Sequence, residues 1–122
     1  MDQKTRTHAT VEDYVDLWNE TRPVMRHKLV EKVWSADALS SDPLAEVRGV
    51  KAIEAHIART QAEFPWHRIA RIGEVDQHHD RLRFPWALRD ADGNTVLTGI
   101  DCVRLADDGR IAELVGFFDS AP

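Results

Sequence analysis

Asp101, Tyr14 and Asp42 carry side chains suited to moving protons, and each stands among unusual neighbours. Asp101 is near the middle of Thr95-Val96-Leu97-Thr98-Gly99-Ile100-Asp101-Cys102-Val103-Arg104-Leu105, a β-branched and apolar run with turn residues on both sides. Strand side chains alternate faces, so Asp101 shares its side with Leu97, Val103 and Leu105, and Gly99 leaves a gap there. A carboxylate among aliphatic groups is costly unless it protonates or finds a partner. From the strand alone, a wet face or an arginine on the next strand is the favoured reading over chemistry. Tyr14 lies on an apolar helical stripe, where its hydroxyl either pairs in the core or donates into a cavity. Asp42 is held extended by Pro43, at an element boundary. Starting a turn is the ordinary role of such a pair.

Other reactive groups form weaker sets. His78-His79 lie beside Asp76 and Asp80, but adjacent side chains diverge, which reads as a solvated hairpin tip. His56 falls at the edge of a helix face with no second ligand at helical spacing. Cys102 lies on the strand face opposite Asp101, with no partner histidine. The six glycines are scattered at turns and element ends, so no phosphate loop exists. The expectation is a site with no metal and no cofactor.

The elements that must position these groups change period along the chain. Thr10, with Asp13 three residues on, reads as the N-cap of a helix whose stripe is Val11, Tyr14, Val15 and Trp18. Pro23 opens a second helix through Met25, Leu29 and Val33, with Trp34 at its end as core or pocket wall. Asp37 to Ser41 reads as a short strand or link, and Gly49 opens a third helix, Val50 to Phe64, closed by Pro65. Four strands then follow: 67–77, 81–89, 95–105 and 110–118. Their short links predict an antiparallel meander. Leu82, Phe84, Trp86 and Leu88 alternate with arginines, and Pro85 marks an edge, bulge or bend. The fold class expected is α+β, three helices on one face of a curved antiparallel sheet. Residues 1–8 read as a flexible tail and 9–122 as a single domain.

The chain has 122 residues, enough for one core and one pocket. A net charge of −5 argues against nucleic acid or an anionic membrane as partner. No apolar run is long enough to span a bilayer, and Met1-Asp2-Gln3-Lys4 is no signal peptide. The single cysteine fits a reducing cytoplasm. The second sheet face, with Val96, Ile100 and Cys102, has no helix left to cover it, so a homodimer is expected.

The order helix, helix, short strand, helix, meander resembles the nuclear transport factor 2-like superfamily over roughly Val11 to Phe118, closest to its SnoaL-like and ketosteroid-isomerase-like branch. Three stretches carry the resemblance: Val11-Glu12-Asp13-Tyr14-Val15; Ala36 to Pro43 with Arg48-Gly49; and Gly99 to Leu105 with Asp108-Gly109-Arg110-Ile111. It implies a cone-shaped barrel around an apolar cavity. It also implies proton transfer next to a carbonyl of a small apolar molecule, as isomerase or aldol-type cyclase. By the isomerase pattern Asp42 is the base, and Tyr14 with a protonated Asp101 donates to the enolate oxygen. By the SnoaL-type cyclase pattern Asp101 is the main acid/base. Trp34, Trp66, Phe84, Trp86 and Phe118 would bind substrate, with Trp34, Trp66 and Trp86 narrowing the cavity against a steroid. An epoxide hydrolase would need an arginine beside Asp101. The alternative is a non-catalytic ligand-binding module or dimeric scaffold of the same fold.

Overall fold

The switch from helical to strand period produces two layers, helices packed into the hollow of a curved sheet. The structure, a computed structural model, describes residues 3–119. In chain order the elements are α1 (Gln3–Asn19), α2 (Pro23–Val33), β1 (Trp34–Asp42), β2 (Ala45–Arg48), α3 (Val50–Glu63), β3 (Arg68–Arg71), β4 (Asp76–His78), β5 (Arg81–Arg89), β6 (Thr95–Leu105) and β7 (Ile111–Phe118). The sheet runs β2-β1-β7-β6-β5-β3, with β4 also pairing with β5. No helix among the described residues is long and apolar enough to cross a membrane.

Helix α1 starts earlier than Thr10, so the expected tail over 1–8 is helical from Gln3 on; residues 1 and 2 lie outside the described residues. Thr7 is buried and accepts a 2.9 Å hydrogen bond from Gln77 Nε2, which ties the extra turns to β4. Thr10 is therefore an interior residue, its hydroxyl donating to the Arg6 carbonyl at 3.1 Å. In α2 the buried residues are Val30 and Val33, whereas Met25 at the first turn is exposed.

The sheet is mixed rather than wholly antiparallel. β1 runs parallel to β7, Ser40 facing Leu114 and Ser41 facing Val115, while every other pairing is antiparallel. β1 is longer than the stretch Asp37 to Ser41, and it turns through Pro43 and Leu44 into β2, a four-residue strand not among those expected from the sequence. The strand expected over 67–77 is broken into β3 and β4. Pro85 on β5 offers no N–H to the ladder at that point, and its ring packs where a side chain at Gly73 would stand.

Inside the curve, Leu82, Phe84 and Trp86 of β5, Val103 of β6 and Leu114 of β7 meet Val11, Tyr14, Leu17, Ile53 and Ile57 from the helices. On the outer face Ile100 pairs with Phe117, which is exposed. Gly99 faces Trp86 across the β5–β6 ladder, and a Cβ there would collide with the indole and the Phe117 carbonyl. The gap in the β6 face is thus filled by the ring of a neighbouring strand. Gly99→Ala should lower stability by about 1–3 kcal/mol in urea unfolding, the usual consequence of overpacking. An unchanged midpoint would mean that the indole moves freely.

Candidate active site

The hollow between helices and sheet is a cavity of about 790 Å³, open at one end. Its inner end is polar, with Tyr14, Asp42, His56 and Asp101 on its lining; the sides include Trp86, Leu88, Leu97, Leu114 and Phe118.

β6 delivers Asp101 to the inner end at 5% exposure. Its partners are neutral donors: the Tyr14 hydroxyl donates to Oδ2 at 2.8 Å and Trp86 Nε1 donates to Oδ1 at 3.0 Å. No arginine contacts it among the described residues, so neither a salt bridge nor an epoxide-hydrolase set forms. Burial raises Asp101 from 3.8 to about 6 against the pull of both hydrogen bonds, and the charge on Asp42 adds a little. Burial, then the Asp101 charge, pushes the Tyr14 hydroxyl well above its ordinary value and keeps it protonated. α1 holds Tyr14 edge-on to Trp34 at 6.2 Å and to Phe84 at 5.7 Å between ring centres.

Beside Asp101, across β7 on the same sheet, stands Asp42, whose two oxygens do different work. Oδ1 accepts the N–H groups of Leu44 at 2.8 Å and Ala45 at 3.0 Å, closing the β1–β2 turn. Oδ2 meets His56 Nε2 at 3.2 Å. Burial raises the Asp42 carboxyl, but His56 and the two amides outweigh it and hold it below its ordinary value. With Asp42 ionised, Nε2 carries the proton and Nδ1 keeps a lone pair, with no hydrogen-bond partner among the described residues. α3 supplies His56, buried edge-on to Trp18 with ring centres 5.9 Å apart. Its one sequence signal is a polar residue three positions after Ile53 on an apolar stripe.

Both carboxyl groups flank Gly116 of β7. A Cβ there would stand 2.8 Å from Asp101 Oδ1 and 3.5 Å from Asp42 Cβ, so glycine leaves room for the two to converge. Tyr14, Asp42 and Asp101 therefore share one cavity, with His56 added. Of the expected ligand walls, Trp86 and Phe118 line the cavity, edge to face at 5.7 Å. Trp66 lines it only at the mouth, at 82% exposure. Trp34 and Phe84 are not on its lining: both are fully buried behind Tyr14 and position that ring. Of the three tryptophans expected to narrow the cavity, Trp86 and Trp66 are on its lining and Trp34 is not. No group of three or more His, Cys, Asp or Glu side chains that could hold a metal ion exists among the described residues.

A raised carboxyl value makes stability fall with pH. The contribution of Asp101 is complete below about 3.8 and is lost as pH rises through about 6. Asp42, with a lowered value, loses its contribution only below that window. Asp101→Asn should therefore be more stable than wild type at pH 7, by up to about 3 kcal/mol, with the gap closing near pH 4. Denaturant titrations at the two pH values measure this; a variant weaker at pH 7 would mean that the ionised carboxylate's bonds outweigh its burial.

Against known proteins, a family model described as the SnoaL-like domain matches residues 11–114. A solved structure of a proposed isomerase of the SnoaL-like family from Agrobacterium tumefaciens is 34% identical, covering 95% of this chain and 99% of that one, with a TM-score of 0.91. A proposed SnoaL-like polyketide cyclase from Jannaschia shares the fold at 18% identity, covering 94% of this chain and 86% of its own, with a TM-score of 0.77. An NTF2-like protein of unknown function from Exiguobacterium does so at 23% identity, 91% and 98% coverage, and a TM-score of 0.73. No curated protein matches. By its family model and its 34% identical relative, this chain belongs to the SnoaL-like family, with a fold shared by NTF2-like structures.

Proposed function

We propose that the protein moves a proton next to the carbonyl of a small apolar molecule, as an isomerase or an aldol-type cyclase. The observation that carries this is two polar pairs, His56 with Asp42 and Tyr14 with Asp101, brought together in one largely apolar cavity. The 34% identical relative described as a proposed isomerase supports it.

His56 is a better base than Asp42. The Asp42 oxygens are engaged by three donors and its value is lowered, whereas His56 Nδ1 is unengaged. The substrate carbon gives its proton to Nδ1, and Asp42 stabilises the imidazolium through Nε2–H. The C–H electron pair passes into the enolate, whose oxygen takes a hydrogen bond from Tyr14. Tyr14 can supply it when Asp101 is neutral: Asp101 then donates to the phenol oxygen, and the phenol hydrogen turns into the cavity. An isomerase returns the His56 proton to the γ-carbon; in a cyclase the enolate carbon attacks a second carbonyl of the same molecule, whose π pair moves to its oxygen, and that alkoxide takes the proton from His56. A second reading makes Asp101 the acid/base itself, favoured by its value of about 6, which suits a group exchanging protons near neutrality.

The test is exchange or isomerisation of an enolisable cyclic enone, followed by NMR. His56→Ala should lose about 10²–10⁴-fold in rate. Asp42→Asn should lose a similar factor while staying folded. Its amide oxygen still accepts from Leu44 and Ala45, which turns its NH₂ toward His56 and moves the ring proton to Nδ1. The wild-type rate should fall as pH rises through about 6, and Asp101→Asn should stay active without that fall. Loss of activity in Asp101→Asn with full activity in His56→Ala would establish the second reading instead. No exchange of any carbon acid would favour a binding module.

A further inference from the structure

The mouth of the cavity contradicts its interior in character. Inside, the polar groups are buried: Tyr14 and Asp101 at 5% exposure, His56 at 6%. At the rim, two large apolar side chains that also line the cavity face solvent, Trp66 at 82% and Leu44 at 60%. Trp66 also has a φ of +67°, the left-handed region that side chains with a Cβ disfavour. It closes the turn after α3, where the His67 N–H donates to the Phe64 carbonyl at 3.2 Å. Glycine or asparagine fits such a position without strain. Neither the backbone nor the core asks for an indole there. On the other side of Asp42's turn, the Leu44 N–H is used by the carboxylate while its side chain is left outside.

We propose that the ligand is longer than the cavity, with its carbonyl end at Tyr14 and an apolar tail that leaves through the mouth against Trp66 and Leu44. The proposal rests on the proton-transfer reading for which end lies inward. The direction follows from the proton-transfer reading and from burial. The buried donor is Tyr14 at the inner end; Thr21, His67 and Arg68 also line the cavity, Thr21 and Arg68 exposed to water, while an alkyl or aryl tail finds apolar surface on Leu88, Leu97 and Phe118 and onward on Trp66 and Leu44. The rim residues continue the cavity lining without a break, which identifies the occupant of the rim as the molecule that fills the cavity. The substrate class is therefore a ketone or enone head carrying a linear apolar tail, not a compact ring system.

The experiment is calorimetric binding of saturated 4-alkylcyclohexanones with tails from methyl to dodecyl, which bind without reacting. Wild type should gain affinity beyond the tail length that fills the cavity. Trp66→Asn, which suits the left-handed backbone and stays folded, should lose about tenfold for the longest tails and nothing for the methyl compound. Affinity that levels off once the cavity is full, or equal losses at every tail length, overturns the proposal. So does a change in the sedimentation of ligand-free protein on Trp66→Asn, which would mean that a second copy covers the rim. His56→Ala separates the two readings. If it keeps the wild-type rate on an enone while tail dependence persists, the assignment of His56 as the base fails and the long ligand stands.

Discussion

A carboxyl group buried without a cation governs the design of this protein. Asp101 has only a phenol and an indole to replace its water, and the two come from different layers, Tyr14 from α1 and Trp86 from β5. Each must arrive in a fixed pose. Trp34 and Phe84 set the angle of the Tyr14 ring, and Gly99 lets the Trp86 indole lie across β6. Gly116 leaves the space that the carboxyl oxygen occupies. Buried polar networks are favourable only when every member is satisfied, so the seating of α1 on the sheet and the shape of the cavity are one constraint.

The same cavity gives two acids different affinities for a proton. Asp42 has three donors and a lowered value; Asp101 has two and a raised one, because its burial is deeper. Two carboxyl groups around one glycine would otherwise compete for a proton. Unequal environments separate them, which is how paired acids take distinct chemical roles.

Periodicity and turn chemistry made much of this legible. The alternation through Leu82, Phe84 and Trp86 fixed the inner face of β5, Pro85 marked the place where the neighbouring strand breaks between β3 and β4, and the strand alternation put Asp101 inward with Leu97 and Val103. What local pattern does not contain is the partner. That Asp101 meets a tyrosine and not an arginine depends on how α1 crosses the sheet. The parallel pairing of β1 with β7 joins segments far apart in the chain, and nothing in either sets its direction. His56 was legible only as a polar residue on an apolar stripe, since its meaning comes from Asp42. Asp42 takes the turn role through Oδ1, while Oδ2 goes to His56, a partner the local pattern does not name. The N-terminal turns of α1 are helical through a tertiary contact of Thr7, where the local capping signal pointed to Thr10.

The β1–β7 pairing also sets when the cavity can come into being. β1 carries Asp42, β7 carries the glycine between the two acids, and almost every other element separates them along the chain. As the polypeptide emerges in order during synthesis, β1 and its hairpin are made early and wait with one edge unpaired until β7 arrives. Such long-range closure is slow, and an exposed strand edge in the interval is open to wrong partners. Asp42 before Pro43 therefore bears on folding as well as chemistry. By holding the hairpin closed through Oδ1, it gives β1 a partner on one side while the other side is still vacant.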